Sequence, residues 1–243
     1  MIEMNFKISD LSQRKQNINY IVNTTLDAIR KLNGEYKTEI TGERVFLLLK
    51  LPDENAETAR RLLSDKIADV IAVNYKYEFF TKYIRTGGLT SVDYEMLIAS
   101  LISADLDEDK RYVACGGLGL EDFSIDGYFN FRLRPLKEKW AEIVTYIPSY
   151  FTKEKLNEFI SYIVCEKTGR RAYVYDDKVY DGRFNRMQKS MLIKKIDKGA
   201  VAREVVLSGF SEVVLGGKVG DEDKKYLVSF FGDKIFFKKN END

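Results

Sequence analysis

Ile2, Met4, Phe6 and Ile8 alternate with polar neighbours, the period-two signature of a half-buried strand. Leu11, Ile18, Val22 and Ile29 then recur at helical spacing until Asn33-Gly34 closes the run. A short polar strand is expected near residues 35–40. A near-continuous apolar strand over 45–51 reads as central and buried on both faces. Asn55 is placed to cap a helix whose inner face is Ala56, Ala59, Leu63, Ile67 and Val70.

Gly87-Gly88 breaks the next helical stretch, and 96–102 begins a helix that is apolar on most sides. Two amphipathic helices follow, one built on Leu136, Trp140, Ile143, Val144 and Ile147, the other on Leu156, Phe159, Ile160, Ile163 and Val164. Pro148 closes the first and Thr152 caps the second. Residues 172–175 and 178–180 pair as a hairpin across Asp176-Asp177. The end of the chain reads as strand 213–215, helix 221–230 and strand 234–237.

The fold class is therefore α/β or α+β: a small N-terminal α/β unit, a helical middle, then a C-terminal β-hairpin and strand-helix-strand unit. Residues 1–75 form the first unit and 76–243 the remainder, which reads equally as one continuous domain with it. No repeat or low-complexity linker interrupts the chain.

At 28.1 kDa the chain buries roughly 70–75% of its extended surface, enough for a core without staples. It contains no histidine, which removes histidine-ligated zinc, Ser–His and Cys–His nucleophile pairs and imidazole proton shuttles. Cys115 and Cys165 suit a reducing compartment, with a single bond between them left open. Cys165 falls on the apolar side of its helix and reads as inert core, whereas Cys115, beside Gly116, reads as more exposed. The opening residues show no signal-peptide pattern, and no apolar run approaches the ~18 residues of a spanning helix. A soluble cytoplasmic protein is expected.

The near-neutral balance of 39 basic and 38 acidic residues hides an acidic centre: residues 93–126 hold 9 acids against 2 bases. In the opposite sense, Arg183, Arg186, Lys189, Lys194, Lys195, Lys198 and Arg203 stand against Asp197 alone, with Met187, Met191, Ile193 and Ile196 interleaved. That basic amphipathic stretch fits a solvated helix face first, and otherwise contact with nucleic acid, an acidic protein or an anionic surface. The acidic centre is a further candidate partner for it. No aromatic-rich ribonucleoprotein motif or helix-turn-helix accompanies it.

Other motifs fail on detail. Asp105-Leu106-Asp107-Glu108-Asp109 resembles half of a calcium loop, but Lys110 and Gly116 occupy the positions that need glycine and glutamate. Gly116, Gly117 and Gly119, and likewise Gly216-Gly217-Lys218, lack the spacing of a phosphate cradle. Ser12–Lys15, Tyr128–Asn130 and Lys167-Thr168-Gly169 follow the order of penicillin-binding acyl-transferases, but Ser12 opens a helix with no sheet before it to build such a site. Neither a catalytic constellation nor a metal or cofactor site emerges.

Gly127-Tyr128-Phe129-Asn130-Phe131-Arg132-Leu133 leads into the Trp140 helix and is followed by Asn157-Glu158-Phe159-Ile160. Near the end stands Phe230-Phe231-Gly232-Asp233-Lys234-Ile235. In this ordering residues 90–237 resemble the YtxC-like family of sporulation-associated proteins from spore-forming bacteria. The resemblance implies a sporulation-related setting and brings no catalytic residues. Arg132 is the polar position within the matching core, placed to clamp a carboxylate or carbonyl inside the fold; Arg134 is less constrained. The leading expectation is a non-catalytic protein acting through an unidentified protein partner. The alternative is a nucleic-acid or anionic-ligand module using 183–203. Arg132, Arg134, Arg183, Arg186, Lys189, Lys194 and Lys195 are the candidate binding residues.

Overall fold

The computed structural model describes residues 3–238. In chain order the elements are β1 (Glu3–Leu11), α1 (Lys15–Lys31), β2 (Glu35–Thr41), β3 (Arg44–Pro52), α2 (Ala56–Asp69), α3 (Lys76–Tyr83), α4 (Ser91–Ala104), α5 (Leu106–Cys115) and β4 (Phe123–Ser124). There follow α6 (Ile125–Arg132), α7 (Arg134–Tyr146), α8 (Lys153–Glu166), β5 (Arg171–Tyr175), β6 (Lys178–Tyr180), α9 (Ala200–Leu207), β7 (Glu212–Gly216), α10 (Asp221–Phe231) and β8 (Ile235–Phe237). Helices and two four-stranded sheets make this a mixed α/β protein. Among the described residues no helix is long and apolar enough to cross a membrane.

The chain divides into two compact units, Met1–Lys76 with Asp107–Ile143, and Tyr77–Leu106 with Val144–Asp243. The first unit thus extends past the expected 1–75 by taking in a later segment, because β1 pairs on one side with β3 and on the other, in parallel, with β4. Its sheet has the order β2-β3-β1-β4. The alternation at the start of β1 buries Phe6 and Ile8; Ile2 lies outside the described residues. β3 is central as expected, but burial on both faces is not observed. Val45, Leu47, Leu49 and Leu51 are buried, while Phe46 and Leu48 are half-buried and Lys50 is exposed. One face of β3 in this mixed sheet packs inward and the other is partly open to solvent.

Ile18, Ile21 and Ile29 of α1 and Ala59, Leu63 and Ile67 of α2 fill that core. Gly34 ends α1 where a Cβ would stand 2.7 Å from the Ile29 Cγ2. Asn55 does not cap α2 with its side chain; its Nδ2 donates instead to the Leu32 carbonyl just past α1. Between α2 and α3 the helix widens into a π-helical stretch, Val70–Tyr75, buried throughout. This places Asn74 and Tyr75 over the end of β1, where the Tyr75 hydroxyl donates to Asp10 at 2.8 Å and the Asn17 amide spans Asp10 and Asn74.

A buried ion pair completes the first unit. Lys76 and Asp109 both have fully buried side chains 2.7 Å apart, and Asp109 also accepts from the Trp140 indole at 2.9 Å and from Lys139 at 3.0 Å. Two charges and an indole N–H taken from water are thereby satisfied by one another.

In the second unit α4, expected to be apolar on most sides, is buried on every side from Glu95 to Ser103, and it packs against α8 and α9. Thr152 caps α8 by accepting from the Lys155 amide. The sheet order is β6-β5-β7-β8, with β5–β6 antiparallel and the other pairs parallel. The hairpin turn runs through Asp176 and Asp177, both at positive φ.

Removing Asp109 takes away the carboxylate that lies 2.7 Å from the fully buried Lys76 ammonium. Asp109→Ala is therefore expected to lower stability by about 3–5 kcal/mol, measured by urea unfolding. Trp140 is the single tryptophan, so its emission reports the transition of this unit directly.

Candidate nucleic-acid interface

The period of β5 sorts its side chains to two faces. Ala172 and Val174 join Val179, Val213 and Leu215 in the buried layer. Tyr173 and Tyr175 point the other way. Strand register then sets Tyr180, Tyr173, Val214 and Phe236 in one row across all four strands. At three strand steps that row is roughly 14 Å wide. The neighbouring row is Lys178, Tyr175 and Gly216, and Gly216 leaves the space that the Tyr175 ring occupies. The three tyrosines and Val214 are half-buried, and Phe236 is exposed.

Phe184 lies over this face. Its ring centroid is 5.2 Å from that of Tyr173, 6.4 Å from Tyr175 and 6.5 Å from Tyr180, yet the residue is 60% exposed. It is held at φ +59°, a conformation that bulky residues rarely adopt. The cause is Asp181. Its Oδ1 accepts from the Arg183 and Asn185 amides at 2.8 Å each, its Oδ2 accepts from the Asn185 side chain, and its own carbonyl accepts from the Phe184 amide. Burial opposes the Asp181 charge, but these donors outweigh it and hold the carboxyl below the usual carboxylate range.

Cations surround the aromatic face. The Arg171 guanidinium sits 5.2 Å from the Phe236 ring and pairs with Glu212 across the strands; Lys238 stands 5.8 Å from the Tyr175 ring. A cavity of about 600 Å³ is lined by Arg170, Arg171, Arg183 and Lys189, with Asp181 as its acid. The structure so brings together two of the expected binding residues, Arg183 and Lys189. Arg186 is exposed beside them, bridged through its backbone to Tyr180.

The rest of the basic stretch departs from expectation. It is not a helix face: a 3₁₀ turn, Lys189–Leu192, is followed by irregular chain until α9. Side chains of α9 replace backbone pairing as the support. The buried Glu204 carboxylate accepts from the Lys189 and Ser190 amides, and the buried Arg203 guanidinium donates to the Lys194 carbonyl at 2.7 Å. Arg203 also pairs with Glu95 at 3.1 Å, so one residue of the acidic centre meets one base of the stretch. Lys194 and Lys195 are exposed and line a different cavity from Arg183.

Arg132 and Arg134 belong to the first unit. Arg132 is exposed rather than clamped inside the fold, and borders a cavity of about 640 Å³ with Cys115 and Tyr128. Leu133, not Arg132, turns inward there. Arg134 pairs with Glu138 one turn on. Both cysteines are free and exposed, which corrects the core placement of Cys165: Ile163 and Val164 face inward and leave Cys165 outside, 3.5 Å from the Lys234 ammonium. Asp107, Glu108 and Asp109 form the first turn of α5, and among the described residues no group of three or more acidic or cysteine side chains is arranged to hold a metal ion. Lys167 donates to the Ser103 and Ala104 carbonyls at the end of α4.

Sequence reasoning missed Tyr173, Tyr175, Tyr180, Phe184 and Phe236. The signal was present as the alternation Ala172-Tyr173-Val174-Tyr175, in which the polar face of the strand is aromatic. Comparison of the chain with protein-family models, with curated proteins and with solved structures gave no match.

The folded Asp181 carboxyl titrates below its unfolded value, so its stabilisation is complete above the ordinary pKa of ~3.9 and is lost as pH falls through the lower folded value. Ring-current shifts of the Tyr173 ring, read by NMR, are therefore expected to be unchanged from neutrality to about pH 5 and to collapse below pH ~4. Asp181→Ala is expected to abolish them at neutral pH.

Proposed function

We propose that the aromatic face of the second unit binds single-stranded nucleic acid. The observation that carries this reading is Phe184, an exposed aromatic fixed at positive φ by Asp181 and packed over Tyr173, Tyr175 and Tyr180 near an arginine-lined cavity. Every base has a π-face, so stacking on Phe184 and Phe236 is sequence-tolerant, and the adjacent cations meet the phosphates. A duplex keeps its bases stacked on each other and has little to offer such a face. This reading puts the nucleic-acid alternative ahead of the protein-contact role that sequence alone ranked first. The basic patch is local in a near-neutral chain, so affinity is expected to be modest and salt-sensitive.

Fluorescence anisotropy with labelled oligo(dT), oligo(U) and a duplex of equal length tests it. Both single strands are expected to bind in preference to the duplex, with roughly twentyfold loss between about 50 and 200 mM salt for three phosphate contacts. Phe184→Ala removes one stacking surface and is expected to weaken binding by about 1–3 kcal/mol with little change in thermal stability. Preference for the duplex, or unchanged affinity in Phe184→Ala, would overturn the proposal.

A further inference from the structure

The second unit carries another cavity, of about 850 Å³, at the start of α4. One wall is Lys194, Lys195 and Lys198 from the irregular loop; the opposite wall includes Ser91, Tyr94 and Glu95. We propose that this cavity is a binding site for a small phosphomonoester, a ligand of about mononucleotide size.

Volume sets the first bound: small-ligand sites run from about 300 to 1,000 Å³. Charge sets the second. Of the two lining acids, Glu95 is already satisfied. One oxygen accepts from the Tyr77 hydroxyl at 2.9 Å and the other from Arg203 at 3.1 Å, with both residues buried. Its charge is neutralised within the protein and does not oppose an anion. Lys198 pairs with Glu222 at 3.4 Å, and Asp197 is exposed. Lys194 and Lys195 form no ion pair among the described residues, so the cavity presents two uncommitted ammonium groups.

The loop that carries them is held in place. Arg203 fixes the Lys194 carbonyl and Glu204 fixes the Lys189 and Ser190 amides, so a lysine-rich segment without regular structure is positioned by two buried charges. The Arg203 charge is itself answered by Glu95, so the positive potential of this wall comes from Lys194 and Lys195. The first turn of α4 does not supply the anion site. Thr90 and Asp93 cap it reciprocally, the Asp93 amide donating to Thr90 and the Thr90 hydroxyl to Asp93. Recognition therefore rests on the two lysines, with Ser91 in the same lining. Paired point charges suit a phosphate dianion, and the Tyr94 ring beside them offers an apolar wall for the group it is attached to.

The test is a titration of the full chain, followed by amide NMR, with inorganic phosphate, AMP and citrate as probes. Phosphate and AMP are expected to produce saturable shifts confined to 90–95 and 194–198, with AMP tighter and citrate at least tenfold weaker. The double variant Lys194→Glu/Lys195→Glu is expected to weaken AMP binding at least tenfold, while thermal stability and oligonucleotide anisotropy stay unchanged. Shifts spread evenly over surface lysines, citrate binding as well as AMP, or an unaffected double variant would each overturn the assignment. The sheet-face reading is tested by Phe184→Ala with oligonucleotides, so either proposal can fail without the other.

Discussion

Two consecutive buried charges on α9 hold the loop from Lys189 to Lys194 in shape. Arg203 and Glu204 are neighbours in sequence and so project about 100° apart around the helix. Arg203 reaches Glu95 and the Lys194 carbonyl; Glu204 reaches the Lys189 and Ser190 amides and the Ser208 hydroxyl. Burying either group alone would carry a desolvation penalty of several kcal/mol, so each must be answered by good hydrogen bonds. The loop from Lys189 to Lys194 supplies them with backbone groups that have no strand or helix partner of their own. The arrangement is reciprocal: the loop satisfies the charges, and the charges define the loop. A lysine-rich segment that would otherwise sample many conformations is thereby presented in one.

The same economy of partners explains the aromatic face. A sheet covered by helices on one side must place something on the other, and period-two alternation hands that side to Tyr173, Tyr175 and Tyr180. Half-buried tyrosines beneath a strained, exposed phenylalanine are more than a sheet needs for solubility. A short polar loop would pair its backbone equally well, and Phe184 at φ +59° stands against the usual steric preference. The strain is sustained because four hydrogen bonds converge on Asp181. Aromatic surface, local cations and a preorganised loop occur at one place. That coincidence favours a stacked, phosphate-bearing ligand over a flat protein contact, for which an apolar patch alone would serve.

In the first unit, perturbed groups explain one another instead of pointing outward. Burial pushes the Asp10 carboxyl up against the pull of Asn17 and Tyr75, and burial together with the Asp10 charge pushes the Tyr75 phenol up. Each is the other's hydrogen-bond partner. The Arg14 guanidinium lies 4.5 Å from the Tyr75 ring, and Arg44 pairs with Asp126 at 2.6 Å beside Ser9 and Ser124. Such a network fixes how β1, α1 and the π-helical stretch meet. Most of these donors and acceptors meet one another, while the buried Asn17 Oδ1 has no hydrogen-bond partner among the described residues.

What could be read from the sequence was what depends on neighbours. The strand alternation of β1 and β5, the Asp176-Asp177 turn, the Thr152 cap and the all-round burial of α4 all follow from residues within one or two turns of each other. What could not be read depends on partners far along the chain. The composition of 183–203 is the same whether it forms a helix face or a loop; the outcome rests on Glu95, 108 positions before Arg203. Asn55 has the right chemistry for a cap, yet the Leu32 carbonyl, 23 residues earlier, takes its amide. Cys165 lies at the edge of an apolar stripe, where a rotation of tens of degrees decides between core and solvent. The interface itself lay between these limits. Its tyrosines were legible one strand at a time, but Phe236 and Phe184 joined them only through strand register and through a loop whose conformation a single carboxylate determines.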